Sequence, residues 1–263
     1  DYGRSRGLGD VYKRQPFMSG IGKEKATAVL HEWQTDSLAS AVANNAQIEG
    51  DEIGFSAPSS TTRVSNRTQI SRKSVIVSGT LDSVSKAGRN NELAYQISKA
   101  SKELKRDMES SLTANNSPVV GNDSTARELA GLAGWIQQNN DAGASGANGQ
   151  VSGSDVPGTA RTDGTQRAFT ESQLKAVIKK CWDEGGDPSM IMLGSFNKQV
   201  LSGFTGGSTR FDPAENKRLV AAVDVYESDF GAMTVVPNRF QRARDVFVLQ
   251  PDMFATAFLR DFQ

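Results

Sequence analysis

The sequence is poor in the side chains that build covalent and metal sites, with one cysteine and one histidine among 263 residues. A single cysteine excludes a disulfide within the chain and suits a reducing compartment. One cysteine and one histidine also cannot supply the ligands of an ordinary zinc site. No apolar run approaches the roughly 20 residues of a membrane helix. These absences predict a soluble protein with no metal, no cofactor and no membrane partner.

Motifs of nucleotide-binding enzymes are incomplete. SGIGK at Ser19–Lys23 resembles part of a phosphate loop, but Phe17 replaces its first glycine and Glu24 replaces the hydroxyl that would ligate magnesium. The glycines of 143–149 lie in a low-complexity run and not at a strand-to-helix turn. We therefore predict no catalytic, cofactor-binding or metal-binding residues, and we do not expect an enzyme.

The first fifteen residues are excluded from the fold argument. Ser5–Gln15 reads SRGLGDVYKRQ, which is the translation of a transposon-type sequencing adapter. We expect residues 1–15 to be an adapter-derived artefact and the natural chain to enter near Pro16; the alternative is a genuine basic tail. Without these residues the balanced charge of the chain becomes slightly acidic, which argues against a dedicated nucleic-acid binder.

The stretch from Ile48 to Met108 joins a polar, basic segment to a long amphipathic helix. Turn residues and β-rich runs between Ala46 and Thr80 predict a hairpin with too few apolar residues to fold alone, so we expect it to pack on another subunit. From Asn90 onward the periodicity predicts a helix of about 24 residues. Its apolar stripe is expected to be core: Leu93, Ile97, Ala100, Leu104, Met108 and Leu112.

The second half of the chain predicts an α+β fold. Residues 139–166 are nearly all small and polar and cannot bury enough apolar surface to be ordered internally, which predicts a surface loop. Thr170 and Gln173 form a capping-box pattern before a helix whose apolar face includes Cys181, which we expect to be core. A strand at Met190–Leu193 and a short helix follow. Further strands are predicted at Leu219–Tyr226, Met233–Val236, Val246–Leu249 and Phe254–Leu259.

Charge is segregated along the chain. From Glu24 to Glu52 there are six acids and one base, whereas from Arg63 to Arg106 there are ten bases and three acids. Opposed patches of this kind orient association more than they strengthen it. Our hypothesis is that the acidic arm of one subunit meets the basic hairpin or the long helix of another; the alternative is that both are independently solvated.

Several long blocks stand in order along the chain: FMSGIGKEKATAVLHEWQTDSL, QISRKSVIVSGTLDSVSKAGR leading into ELAYQISKASKELKRDMES, then GSFNKQVLSGF, RLVAAVDVYESDFG, VVPNRFQRARD and VLQPDMFATAFLRDFQ. Together they span essentially Pro16 to Gln263. They resemble the major capsid (head) proteins of a tailed-bacteriophage family with the Hong Kong-type phage capsid fold.

The resemblance implies an architecture. Residues 16–45 would form an N-terminal arm and 46–78 an extended loop over a neighbouring subunit. A peripheral lobe at 79–189 would contain a spine helix at 90–114 and the flexible loop at 139–166. Residues 190–239 would form an axial lobe, and 240–263 would return to the peripheral lobe. Relatives continue beyond RDFQ, so we expect the C-terminus to be truncated.

The function implied is structural. Copies of the subunit would form pentamers and hexamers of an icosahedral phage head around packaged double-stranded DNA, without sequence recognition. Scaffold, portal or decoration proteins would be further partners. The protein would be located in the virion after assembly in the bacterial cytoplasm. Some relatives cross-link Lys to Asn between subunits; Lys73 lies in the loop, but no acceptor can be matched to it, so no bond is predicted.

Three alternatives stay open at this point. The first is a shell protein of a bacterial nanocompartment with the same fold. The second is a hydrolase-like enzyme that uses His31 and Glu32. The third is a tail or baseplate protein, which differs from a head protein in its low copy number per particle.

Overall fold

The computed structural model describes residues 15–52, 54–84, 91–152, 155–204 and 223–260. Its first half contains α1 (Pro16–Gly20), β1 (Gly22–Lys25), β2 (Leu30–Thr35), β3 (Thr62–Arg67), α2 (Gly79–Ser83), α3 (Glu92–Leu112) and α4 (Leu132–Trp135). Its second half contains β4 (Gln150–Ser152), β5 (Asp155–Thr159), α5 (Glu171–Asp183), β6 (Met190–Leu193), α6 (Ser195–Ser202), β7 (Val225–Ser228), β8 (Gly231–Pro237), β9 (Val246–Leu249), a 3-10 turn (Pro251–Met253) and β10 (Ala255–Phe258). The predicted α+β class is confirmed.

The body is organised around a four-stranded sheet in the order β7-β8-β6-β9. β6 reads MIML and lies between β8, to which it is parallel, and β9, to which it is antiparallel. A strand covered on both faces is expected to be a continuous apolar run, as β6 is. The sheet takes strands from both sides of the boundary predicted at 239/240. Residues 1–14 of the predicted artefact and 219–222 of the predicted strand Leu219–Tyr226 lie outside the described residues, as do parts of the predicted lobes.

Alternate side chains of β6 enter two different cores, as the two-residue period of a strand requires. Ile191 and Leu193 join the first core, whose buried members are Leu174, Ile178, Ile191, Leu193, Leu201, Met233 and Val235. Met192 joins the second core, whose buried members are Phe17, Leu132, Ala133, Met192, Phe247 and Leu249. Helices α5 and α6 therefore cover one face of the sheet, while α1 and α4 cover the other.

The predicted helices begin and end close to their sequence signals. In α3, which corresponds to the spine helix, the Asn91 side chain caps the first turn by accepting a hydrogen bond from the Ala94 amide. In α5, Thr170 and Gln173 form the predicted capping box. Cys181 on α5 is half-buried, and burial raises the pKa of its thiol. No helix in the described ranges is long and apolar enough to cross a membrane.

The N-terminal segment is held to the body at one strand and projects at the next. β1 pairs in parallel with β10, and the amides of Gly22 and Ala26 donate to carbonyls at both ends of this pairing. β2 pairs antiparallel with β3, with Leu30 opposite Arg67 and Thr35 opposite Thr62. The hairpin predicted within residues 46–80 is therefore wrong. The loop strand β3 pairs with β2 of the arm instead, and the Glu32–Arg63 ion pair joins the two strands.

The prediction that residues 139–166 lack internal structure is also wrong. β4 and β5 pair antiparallel within this segment, and Ala147 bridges to Thr162. The Asn115 side chain brackets the backbone of Arg161, accepting from its amide at 3.1 Å and donating to its carbonyl at 2.7 Å. Arg161 in turn contacts Asp245 at 2.6 Å. A composition too polar to make its own core is thus ordered by hydrogen bonds and ion pairs to the body.

Candidate assembly surface

Residues 36–61, which connect β2 to β3 and are called here the projecting loop, lie away from the body. In its described residues the loop has no helix or strand and every side chain is exposed. The described residues of the loop include four large apolar side chains: Leu38, Val42, Ile48 and Phe55. Leu38 is 100% exposed and Phe55 is 98% exposed. Apolar side chains collected on one extended segment indicate a contact surface.

The root of the projecting loop is fixed, in contrast to its tip. The Arg63 guanidinium donates to both oxygens of Glu32 across the β2–β3 pair, at 2.9 and 2.7 Å. The Asn66 side chain accepts from the Ala130 amide at 2.9 Å and donates to the Ala130 carbonyl at 3.2 Å. Trp33 stacks against Trp135 with ring centroids 5.4 Å apart. The loop therefore leaves the body at a defined place and direction.

A second exposed apolar surface lies on the first half of α3 and the segment before it. Leu93 and Ile97 were expected to be core, but they are 43% and 52% exposed. The preceding segment adds four exposed large apolar side chains: Ile70, Ile76, Leu81 and Val84. The prediction of a buried stripe is wrong: Leu93 and Ile97 are exposed and the other four members are half-buried, because the described part of the subunit covers this face only in part.

Charge on these surfaces follows the segregation in the sequence. The projecting loop carries Asp36, Glu49, Asp51 and Glu52 and no lysine or arginine. Glu32 of the acidic region and Arg63 of the basic region form an ion pair within the same subunit. The pairing of an acidic arm with a basic surface of another subunit stays a prediction.

Lys73 lies next to α3, where its Nζ is 2.6 Å from Asp107 Oδ2. The hydrogen bond to Asp107 raises the pKa of Lys73 above its ordinary value. The amine is therefore held in its protonated form, which is not a nucleophile. This contact gives no reason to add a cross-link through Lys73.

The two residues of the hydrolase alternative do not form a catalytic pair. His31 and Glu32 are successive residues of β2, so their side chains point to opposite faces. Glu32 is engaged by Arg63. The His31 ring stacks on Trp33 with centroids 5.6 Å apart, and its Nε2 lies 3.6 Å from Glu24. In the described ranges no group of three His, Cys, Asp or Glu side chains could hold a metal ion.

Glu109, near the end of α3, is a contact that sequence analysis missed. It lies on the polar side of an amphipathic helix, where a carboxylate is normally solvated, yet it is fully buried. Its oxygens accept from the amides of Phe17 and Met18, at 2.8 and 2.9 Å, and from Asn238 Nδ2 at 2.8 Å. Burial raises its pKa, and the three donors oppose part of that effect. No pattern in the sequence indicated this site.

A packed body with an exposed apolar loop is typical of a subunit that is completed by other subunits. Comparison with known proteins shows that the class is that of phage major capsid proteins. The chain matches the model of the SU10 major capsid protein family over residues 12–263, and it therefore belongs to that family. It is also similar to the major capsid protein of Escherichia phage Phieco32, with 27% identity over 277 residues that cover 93% of this chain and 79% of that protein.

These findings confirm the resemblance to tailed-phage major capsid proteins and the structural role that it implies. The role places the protein in the virion and implies that its main partner is itself. An exposed apolar loop is what such a subunit needs, since it must bury surface against copies of itself after it has folded.

Proposed function

We propose that the chain is the shell subunit of an icosahedral phage head, with the Hong Kong-type fold, and that it forms pentamers and hexamers around double-stranded DNA. The N-terminal arm at 16–45, the loop at 46–78 and the peripheral and axial lobes keep the boundaries given above. The observation that carries the proposal is the projecting loop, whose four large apolar side chains are exposed in the single subunit.

The energetics of the loop support association between subunits. Burying one large apolar side chain contributes about 1.5–3 kcal/mol. Four such side chains per subunit offset a useful part of the cost of association, which is about 4–15 kcal/mol. The loop and the surface that receives it are different parts of the chain. Such a contact is heterologous, and repeated heterologous contacts close into rings when the rotation allows.

The remaining parts of the proposal follow from composition. A slightly acidic chain fits a shell that encloses DNA without reading its sequence, since base recognition needs a concentrated basic surface. Assembly would take place in the bacterial cytoplasm, where a free cysteine stays reduced. Scaffold, portal and decoration proteins are the further partners proposed. The role requires no chemistry, so the protein would not be an enzyme.

The test is electron microscopy of negatively stained particles from bacteria that express the chain. Closed shells or ring-shaped capsomers are expected for the natural sequence. Phe55→Ser should lower the shell yield by about tenfold, which corresponds to about 1.4 kcal/mol of lost contact energy. Phe55→Leu keeps an apolar side chain and should retain most of the yield.

Both variants should leave the thermal unfolding of the single subunit unchanged, because the Phe55 side chain is exposed there. Shells that form equally well with serine at this position would show that the loop does not carry the contact. A small, monodisperse natural protein would contradict self-assembly of this chain by itself.

A further inference from the structure

The buried Glu109 carboxylate joins three segments that are distant in sequence. Phe17 and Met18 belong to α1, Glu109 to the last turns of α3, and Asn238 to the turn after β8. The contacts span sequence separations of 92, 91 and 129 residues. We call these four residues the Glu109 anchor. It holds the start of the N-terminal arm on the body, next to the pairing of β1 with β10.

All partners of the carboxylate in the anchor are donors. Asn238 is itself held in one orientation, because its Oδ1 accepts from the Phe240 amide at 2.9 Å and its backbone amide donates to Leu193. Among the described residues, no lysine, arginine or histidine forms an ion pair with Glu109. A carboxylate has two acceptor oxygens and can satisfy all three donors. A glutamine would replace one oxygen by an NH2 group, which would face an N–H donor and leave that donor without an acceptor.

The Glu109 anchor lies at the start of the arm, just before the strands that lead to the projecting loop. α1 is followed directly by β1, which pairs with β10, and then by β2, which forms the root of the projecting loop. We propose that Glu109 is a positioning residue for shell assembly, because it holds the start of the arm on the body and, together with the β1–β10 pairing, sets where the projecting loop leaves the subunit. This inference rests on the proposed assembly function.

The experiment uses the full chain with Glu109→Gln and with the double variant Glu109→Gln/Asn238→Asp. In the double variant the glutamine oxygen can accept from the Met18 amide while the glutamine amide donates to the new carboxylate, so two of the three contacts return with the charge moved to position 238. The Phe17 amide, which shares Oε1 with Asn238, loses its acceptor. Leu201→Ala is the control for lost stability alone, since Leu201 lies in the first core, away from the anchor.

Two readouts are taken. Trypsin cleavage after Lys23 and Lys25 of the unassembled subunit reports release of the arm, and microscopy reports the yield and uniformity of shells. Glu109→Gln should be cut about tenfold faster, because local opening exposes β1, and it should give few or irregular shells. The double variant should recover part of both readouts relative to Glu109→Gln, and Leu201→Ala should leave the cleavage rate and the shape of the shells unchanged.

Normal shells from Glu109→Gln, or cleavage at the natural rate, would overturn the proposal. If Glu109→Gln does not accumulate as a folded subunit, the double variant carries the test, and its failure to restore folding or protection would overturn the anchor. If the natural chain forms no shells while Glu109→Gln still releases the arm, the anchor is supported and the proposed assembly function fails.

Discussion

The body and the projecting loop use the same kinds of side chains in opposite ways. In the body, Ile191 and Leu193 are fully buried between the sheet and its helices. On the loop, Phe55 and Leu38 have almost no contact with the rest of the subunit. Burial in the body stabilises the fold of one chain, whereas the apolar surface of the loop can contribute only after another molecule covers it. The difference shows that folding and association draw on separate sets of residues.

Ion pairs show the same division. Arg161 and Asp245 meet at 2.6 Å with side chains that are 15% and 6% exposed, and this contact holds the segment after β5 against the turn before β9. Arg63 and Glu32 meet at a similar distance at the root of the loop, but both remain accessible to water. Solvent weakens the second pair and salt screens it, so only the first is expected to matter for the folded subunit.

The largest loss of unfolding free energy is expected from a substitution that breaks the Arg161–Asp245 ion pair. Asp245→Ala leaves the Arg161 guanidinium buried without its carboxylate, and Arg242 also loses a nearby acid. The free energy of unfolding should fall by about 3–5 kcal/mol. Urea denaturation followed by far-ultraviolet circular dichroism measures this change. Glu32→Ala is the matched control at the loop root and should have little effect; equal losses in the two variants would contradict the distinction between body and loop.

The next effect compares one substitution in two places. Ile191→Ala removes a fully buried side chain from the first core and should cost about 2–5 kcal/mol of unfolding free energy. Ile76→Ala changes a side chain that is 96% exposed in the segment before α3. It should leave the unfolding of the subunit unchanged. A clear loss of subunit stability in Ile76→Ala would mean that this segment is packed on the body and is not free for a partner.

The smallest expected change in unfolding free energy comes from the Glu109 anchor, and it depends on pH. Burial raises the pKa of Glu109 in the folded subunit, so the folded state holds the proton more tightly than the unfolded chain. The stability from this group is present below the unfolded pKa of about 4.5 and is lost as pH rises through the folded pKa. The unfolding free energy of the natural protein, minus that of Glu109→Gln, should therefore decrease as pH rises above that value.

Urea titrations of both proteins across this pH range provide the measurement. A difference that instead grew with pH would show that the three donors outweigh burial and lower the pKa. A difference independent of pH would mean that the pKa of Glu109 is the same in the folded and unfolded chains.

Much of the body was predictable from sequence because its signals are local. The strand at Met190–Leu193 is an apolar run of the right length, and the strand at Val246–Leu249 was also predicted with the bounds that the structure has. The capping box at Thr170 depends only on residues three positions apart. Interactions within a few residues are encoded directly in the order of the side chains.

The candidate surface was predicted less completely. Sequence analysis expected a loop that packs on another subunit, but it paired the strands wrongly and placed Leu93 and Ile97 in a core. Periodicity shows that a helix has an apolar face and does not show what covers that face. The strand β3 finds its partner in β2, across the whole projecting loop, and long-range pairing of this kind leaves no local pattern.

By itself, the sequence determined the α+β class, the bounds of several helices and strands, and the segregation of charge, since these follow from local propensity and composition. It also carried the resemblance that the family match confirmed. Only the tertiary structure decided which apolar side chains the subunit buries, how residues 139–166 are ordered, and that Glu109 is enclosed. These depend on segments brought together from distant parts of the chain, and a carboxylate becomes an anchor only when three donors converge on it in space.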